Sequence, residues 1–147
     1  MPQTRTMPRL QAINPIGLYD PSANGYSHLM LAPANARWLF VAGQGGEDVN
    51  GTLSDDFAEQ LQQCLDNLQR ALTAGGARFA QIAKLTVLVV DHSEARLALI
   101  SEALASAAGA DMAPACTLIP VPRLALDGML IEIDATACLP ASQEQAA

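Results

Sequence analysis

The chain has 147 residues and a mass of 15.4 kDa, which suits one domain with one core. Eight basic residues stand against fifteen acidic ones, giving a net charge of −7. That balance argues against a nucleic-acid partner, because neutralising phosphates takes clustered Lys and Arg. No apolar run approaches the ~20 residues of a spanning helix, and the first residues lack the apolar core of a signal peptide, so no membrane partner is expected. Hydrophobic residues make up 50% and charged ones 16%, with a mean hydropathy of +0.19. A small monomer has too little interior to hide that surplus, so burial between copies in a homo-oligomer is expected. Three cysteines, Cys64, Cys116 and Cys138, without CxxC spacing form neither a disulfide framework nor a zinc site. They fit reduced thiols in a cytoplasmic protein. His28 and His92 are too few and too distant in sequence for a metal cluster.

In chain order, residues 1–13 show no period and read as a flexible arm, while 14–140 form the domain and 141–147 a tail. Asn14 to Gly25 is a loop rich in Pro, Gly, Asn and Ser. Tyr26–Ala32 and Arg37–Ala42 read as strands, and Pro33–Ala36 between them predicts an antiparallel hairpin. Gly43-Gln44-Gly45-Gly46 has no following GxxxxGK[ST], so it predicts a bulge or close backbone approach rather than a phosphate loop. Ser54 is a candidate cap for a helix with Asp55 and Asp56 at its positive end. Phe57, Leu61, Cys64, Leu65, Leu68, Ala71 and Leu72 recur at three- and four-residue steps, until Gly75-Gly76 ends the helix. Cys64 belongs to that stripe and reads as core filling.

Lys84–Val90 is rich in β-branched residues, as in a strand covered on both faces. His92 reads as a turn residue before a second helix, Glu94 to about Ala108, with Leu97, Ile100 and Leu104 on its buried side. The stretch Asp111–Ala137 then reads as two strands, Cys116–Val121 and Met129–Ala137, joined by a turn at Leu126-Asp127-Gly128. In the last strand Met129, Ile131, Ile133, Ala135 and Ala137 share one face, with Leu130, Glu132, Asp134 and Thr136 on the other. That carboxylate-bearing face either meets water or lines a pocket. The order β-β-α-β-α-β-β predicts an α+β domain, a mixed sheet with both helices on one face.

From about Asn14 to Ala137 the sequence resembles the Rid family, the YjgF-type reactive-intermediate deaminases. The matching pieces are Tyr26-Ser27-His28, Val41-Ala42-Gly43-Gln44, Gln60 with Asn67, Gly76, Lys84–Asp91, Pro114-Ala115 and Ile131–Ala135. The resemblance implies a chorismate-mutase-like subunit in a homotrimer, with a central barrel of three sheets and ligand clefts between subunits. It also implies hydrolysis of small enamines and imines to a 2-oxo acid and ammonia, without metal or cofactor. Glu132 then orients water, while Tyr26, Ala42, Gly43 and Leu118 border the substrate. Ile16-Gly17-Leu18-Tyr19 resembles a family segment too, so Tyr19 rivals Tyr26 as the cleft tyrosine.

One departure bears on substrate. The family's Pro-Ala-Arg is here Pro114-Ala115-Cys116, and a thiol does not grip a carboxylate as guanidinium does. Loss of that contact weakens an amino-acid-derived ligand by roughly 2–5 kcal/mol, which counts against 2-aminoacrylate as substrate. Cys116 becomes either a neutral pocket wall or a nucleophile, and a nucleophile needs a base or positive charge nearby. Arg123 is a candidate replacement cation, though its match lies outside the pocket. The competing reading is a non-catalytic trimer that binds a small ligand in the same clefts.

Overall fold

The computed structural model describes residues 9–142; the outer parts of the predicted arm and tail lie outside them. Eight elements follow one another: β1 (Gln11–Ile13), β2 (Leu29–Leu31), β3 (Arg37–Gly45), α1 (Phe57–Ala74), β4 (Ile82–Val90), α2 (Glu94–Ala108), β5 (Ala115–Val121) and β6 (Ile131–Leu139). The sequence's α+β reading with a mixed sheet holds. The four long strands lie in the order β3-β6-β4-β5, antiparallel except for the parallel pair β4 and β5.

The predicted hairpin does not form. β2 pairs with β1 rather than β3, in a separate two-stranded sheet, so residues 33–36 carry the chain from one sheet to the other and the end of the predicted arm is tied down. The last two strands are not neighbours either. β6 inserts between β3 and β4, and β5 takes the outer edge. Insertion gives β6 two ladders of backbone hydrogen bonds where a hairpin would give one.

The helices form where the apolar period predicts. The cap of α1 is Asp56 rather than Ser54: Asp56 Oδ1 accepts from Glu59 N at 2.9 Å, and Ser54 Oγ accepts from Asp56 N at 3.1 Å. The side chain two residues upstream thus fixes the turn that presents the cap. Ser93 caps α2 by accepting from Arg96 N at 3.2 Å. Leu61, Cys64, Leu68 and Leu72 of α1 and Ile100 and Leu104 of α2 are buried against the sheet's inner face, built from Leu85, Val87, Val89, Ile131, Ile133 and Ala135. Each buried leucine contributes on the order of 2 kcal/mol relative to exposure.

The opposite sheet face is open. Trp38 and Phe40 alternate with the core-packed Leu39 and Val41, and they are 48% and 77% exposed. β4 is therefore covered on one face within the protomer, with Leu85 buried and Thr86 and Leu88 half-buried. Glu132, Asp134 and Thr136 alternate with buried Ile133 and Ala135, so they share the open face with Phe40.

Candidate functional site

Glu132 sits where β6 meets an irregularity in β3. Val41 pairs with Ala135 and Gln44 with Ile133, so Ala42 and Gly43 together oppose Asp134. This is the bulge predicted from the glycine run, and it takes backbone groups out of the ladder. A Cβ on Gly43 would overlap the Glu132 carboxylate, so only glycine lets that carboxylate lie against the strand. Gly46 repeats the device: its Cβ would stand 2.8 Å from Cα of Gln60, and α1 approaches the end of β3 through that gap.

Two polar residues of α1 hold the surroundings. Gln60 is fully buried; its Nε2 donates to Ser54 O at 2.6 Å and Gly128 O at 2.7 Å, and its Oε1 accepts from Leu130 N at 2.9 Å. It thereby fixes the segment entering β6 two residues before Glu132. Asn67 donates to Gly45 O at 3.0 Å and Glu47 O at 2.8 Å, holding the chain beyond the bulge. The sequence points to both only through the family resemblance; the direct signal is a glutamine on the apolar stripe of a helix, where a polar group needs partners.

Ala42, Gly43 and Glu132 line one open cavity of about 760 Å³, together with Asn67, Arg70 and Met129. The remaining candidates lie elsewhere in the protomer. Cys116 pairs in register with Leu85, a core residue, and with Leu118 it packs against that core. Both therefore belong to the helix-facing side of the sheet, opposite Glu132. Burial pushes the Cys116 thiol up to about 11, against a smaller downward pull from Lys84. Among the described residues no histidine hydrogen-bonds to it. At neutral pH this is a protonated thiol in an apolar wall, and the nucleophile reading finds no support in the protomer.

Tyr26 stands at the far edge. Ser27 N donates to Pro114 O at 2.9 Å, its Oγ donates to Ala113 O at 2.6 Å, and Ser27 bridges Ala115 outside β5. Three strand spacings, about 14 Å, separate that edge from β6. The two rival tyrosines are neighbours: Tyr19 and Tyr26 share a hydroxyl–hydroxyl hydrogen bond, with ring centroids 6.4 Å apart. His28 lies edge-on to both, 5.2 Å from Tyr19 and 5.7 Å from Tyr26, and its Nε2 hydrogen-bonds to Tyr19 O. His92 is a turn residue, as expected, with Nδ1 buried and unpartnered. Arg123 is an exposed ion-pair partner of Asp127 at 3.0 Å and does not line the cavity.

The described residues contain no group of three or more His, Cys, Asp or Glu able to hold a metal ion, and no helix among them is long and apolar enough to cross a membrane.

A family model described as Endoribonuclease L-PSP matches residues 19–139. The RutC family protein PH0854 of Pyrococcus horikoshii is 35% identical over 106 residues, 68% of this chain and 78% of that protein. The RutC family protein YjgH of Escherichia coli is 40% identical over 53 residues, which cover 36% of this chain and 40% of the relative's length. Among solved structures, the Rid-family protein YyfB of Yersinia pestis superposes with a TM-score of 0.85 at 38% identity, over 89% of this chain and 99% of that one.

Proposed function

Because the chain belongs to the YjgF/Rid family, whose α+β subunit it shares, we propose that it hydrolyses a small imine, or an enamine through its imine tautomer, at the cavity around Glu132. The observation that carries this reading is the seating of the Glu132 carboxylate against Gly43 at a bulge, in a cavity of about 760 Å³. An imine carbon is already electrophilic, so the site has only to place water and hold the substrate. Glu132 accepts a hydrogen bond from water and takes its proton as the oxygen bonds to carbon. The C=N electron pair moves to nitrogen, which takes a proton from solvent to give the carbinolamine. Glu132 then returns its proton to that nitrogen, and the hydroxyl loses its proton to water as its electron pair forms the carbonyl. The C–N bond breaks, and ammonia leaves. The backbone at Ala42 and Gly43, outside the ladder, is the hydrogen-bonding surface on which the substrate rests.

The active assembly in this reading is a homotrimer. Exposed Trp38, Phe40 and Ile119 give the open sheet face an apolar surface suited to burial between copies. Tyr26, remote from Glu132 in one protomer, would reach a shared cleft only across such a seam. The protein works in this reading as a cytoplasmic enzyme with free thiols and without a cofactor.

The test follows ammonia and carbonyl release from imines generated in situ. Wild-type protein is expected to accelerate release above buffer, and Glu132→Gln to lose at least about 100-fold of that acceleration. Saturable ligand binding with no acceleration for any imine would replace the hydrolase by a ligand-binding trimer.

A further inference from the structure

The end of β3 seats a second carboxylate beside that of Glu132. A Cβ on Gly45 would overlap the Glu47 carboxylate, just as a Cβ on Gly43 would overlap that of Glu132. The two glycines stand two residues apart on β3, so their notches open on one face about 7 Å from each other. Gly45 is also the register partner of Glu132. Glu47 therefore places its carboxylate in the cross-strand position facing Glu132, where opposed side chains start about 4.5–5.5 Å apart. Asn67 holds the segment from α1 by donating to Gly45 O and Glu47 O. Cys64 senses both acids. Its Sγ donates to Gln44 O, between the two glycines, at 2.9 Å; burial pushes the thiol up to about 12, and the charges of Glu47 and Glu132 both push the same way.

Neither carboxylate is neutralised by the described residues. Both are half-buried, both line the cavity of about 760 Å³, and neither accepts a hydrogen bond or joins an ion pair there. Asp48, in the same cavity, already accepts from Asn50 N at 2.8 Å and Thr52 N at 2.9 Å within its own loop. Among the described cations, Arg70 alone lines this cavity, and it is exposed. Arg37, Lys84, Arg96 and Arg123 are engaged elsewhere, and Arg9 and Arg78 line a different cavity, of about 560 Å³. Two partly desolvated carboxylates on neighbouring strands repel each other, and a cation between them relieves that cost.

We propose that Glu47 is a specificity-determining residue of this cavity: with Glu132 it seats a cationic nitrogen, so the cavity selects protonated imines that lack a carboxylate. For the reaction it serves, this inference rests on the hydrolase reading and names its substrate class. The nitrogen takes its solvent proton before water adds, and the N–H groups of the resulting iminium donate to Glu47 as charge-assisted hydrogen bonds. Glu132 stays free to take the proton of water. A carboxylate on the ligand would meet Glu47 and Glu132 as like charges, which costs affinity.

Binding and turnover are tested separately. In the binding arm, benzylammonium, benzyl alcohol and benzoate, alike in shape and different in charge, are titrated into the protein by calorimetry. Wild type is expected to bind benzylammonium at least about tenfold more tightly than benzoate. Glu47→Gln should weaken benzylammonium by at least about tenfold and leave benzyl alcohol unchanged, a split that a merely structural role would not produce. Glu102→Gln removes the same charge from an exposed position of α2 outside the cavity and should alter none of the three. Benzoate bound as tightly as benzylammonium, a charge preference retained by Glu47→Gln, or no binding of benzylammonium overturns the inference. In the kinetic arm, a flavin amine oxidase releases the imine of benzylamine, and an amino-acid oxidase that of phenylglycine, which keeps its carboxylate. Wild type is expected to favour the first by at least about tenfold in kcat/KM, and Glu47→Gln to lose most of that preference. A preference that is absent, reversed or retained by Glu47→Gln overturns the inference. Charge-selective binding that depends on Glu47, with neither imine turned over, would sink the hydrolase reading and leave the cation seat standing.

Discussion

Positions 132 and 116 lie in one sheet and differ in almost everything that governs chemistry. Glu132 is on the open face, beside a bulge made by Ala42 and Gly43 and in a cavity with Arg70. Cys116 is on the helix-facing side, in register with a fully buried leucine, with its thiol pushed up to about 11 by burial. A carboxylate on the first surface can order water; a thiol on the second packs. Cys116 therefore packs against the core, and the polar groups of the cavity gather around the β3 bulge. In the proposed reaction, position 132 carries the chemistry and position 116 does not.

The support beneath the bulge gives the largest effect. Gln60→Leu removes three hydrogen bonds from a fully buried carboxamide and strands Ser54 O, Gly128 O and Leu130 N. A loss of about 2–4 kcal/mol is expected in urea or thermal unfolding, together with reduced turnover, because Leu130 leads into Glu132. A fully stable variant would show that the clamp does not hold β6.

Gly43→Ala acts more locally. The added methyl group pushes the Glu132 carboxylate off the strand, so kcat should fall by about tenfold, or about 1.4 kcal/mol, with little change in melting temperature. Unchanged kcat would mean that the seat against Gly43 does not matter to the reaction.

The buried thiols predict a pH response with a definite sign. Burial raises Cys116 to about 11 and Cys64 to about 12, from 9.0. The folded state keeps these protons while the unfolded chain releases them, so their contribution is fully present below pH 9. It declines from pH 9 through about 11 to 12, by at most roughly 1.4 kcal/mol per pH unit for each thiol. A Cys116→Ala, Cys64→Ala double variant should flatten that decline. A slope unaltered by the double substitution would place the titration elsewhere.

RNA supplies the smallest expected effect. With a net charge of −7 and its described cations engaged or divided between two cavities, the protein should neither cleave nor retain single-stranded RNA at physiological salt. Salt-dependent binding in a filter or anisotropy assay would contradict that expectation.

Much of this layout is written in local sequence. The apolar stripe from Phe57 to Leu72, the β-branched run before Asp91 and the alternation through Ile131–Ala137 each fix an element and its buried side, because burial imposes a period on neighbouring residues. Strand partners are not local properties. Nothing in Leu126-Asp127-Gly128 distinguishes a hairpin turn from a connection that sends β6 between β3 and β4, and nothing in Pro33–Ala36 reveals that β2 prefers β1. Ser54-Asp55-Asp56 offers three cap-competent side chains in a row, and hydrogen-bond geometry selects the last. Of the candidate site, strand alternation puts Glu132 on the face away from the core and a glycine run marks the bulge at Gly43; only the family resemblance joins the two in one cavity. That Arg70 lines the same cavity was not legible, because an exposed arginine on an amphipathic helix carries no sequence signal that it faces a cavity.

The most direct measurement compares Glu132→Gln and Cys116→Ala in one imine-hydrolysis assay, with folding of both checked by circular dichroism. At least about 100-fold loss is expected for the first, and turnover within about twofold of wild type for the second. Turnover that survives at Glu132→Gln and collapses at Cys116→Ala would contradict that assignment of roles.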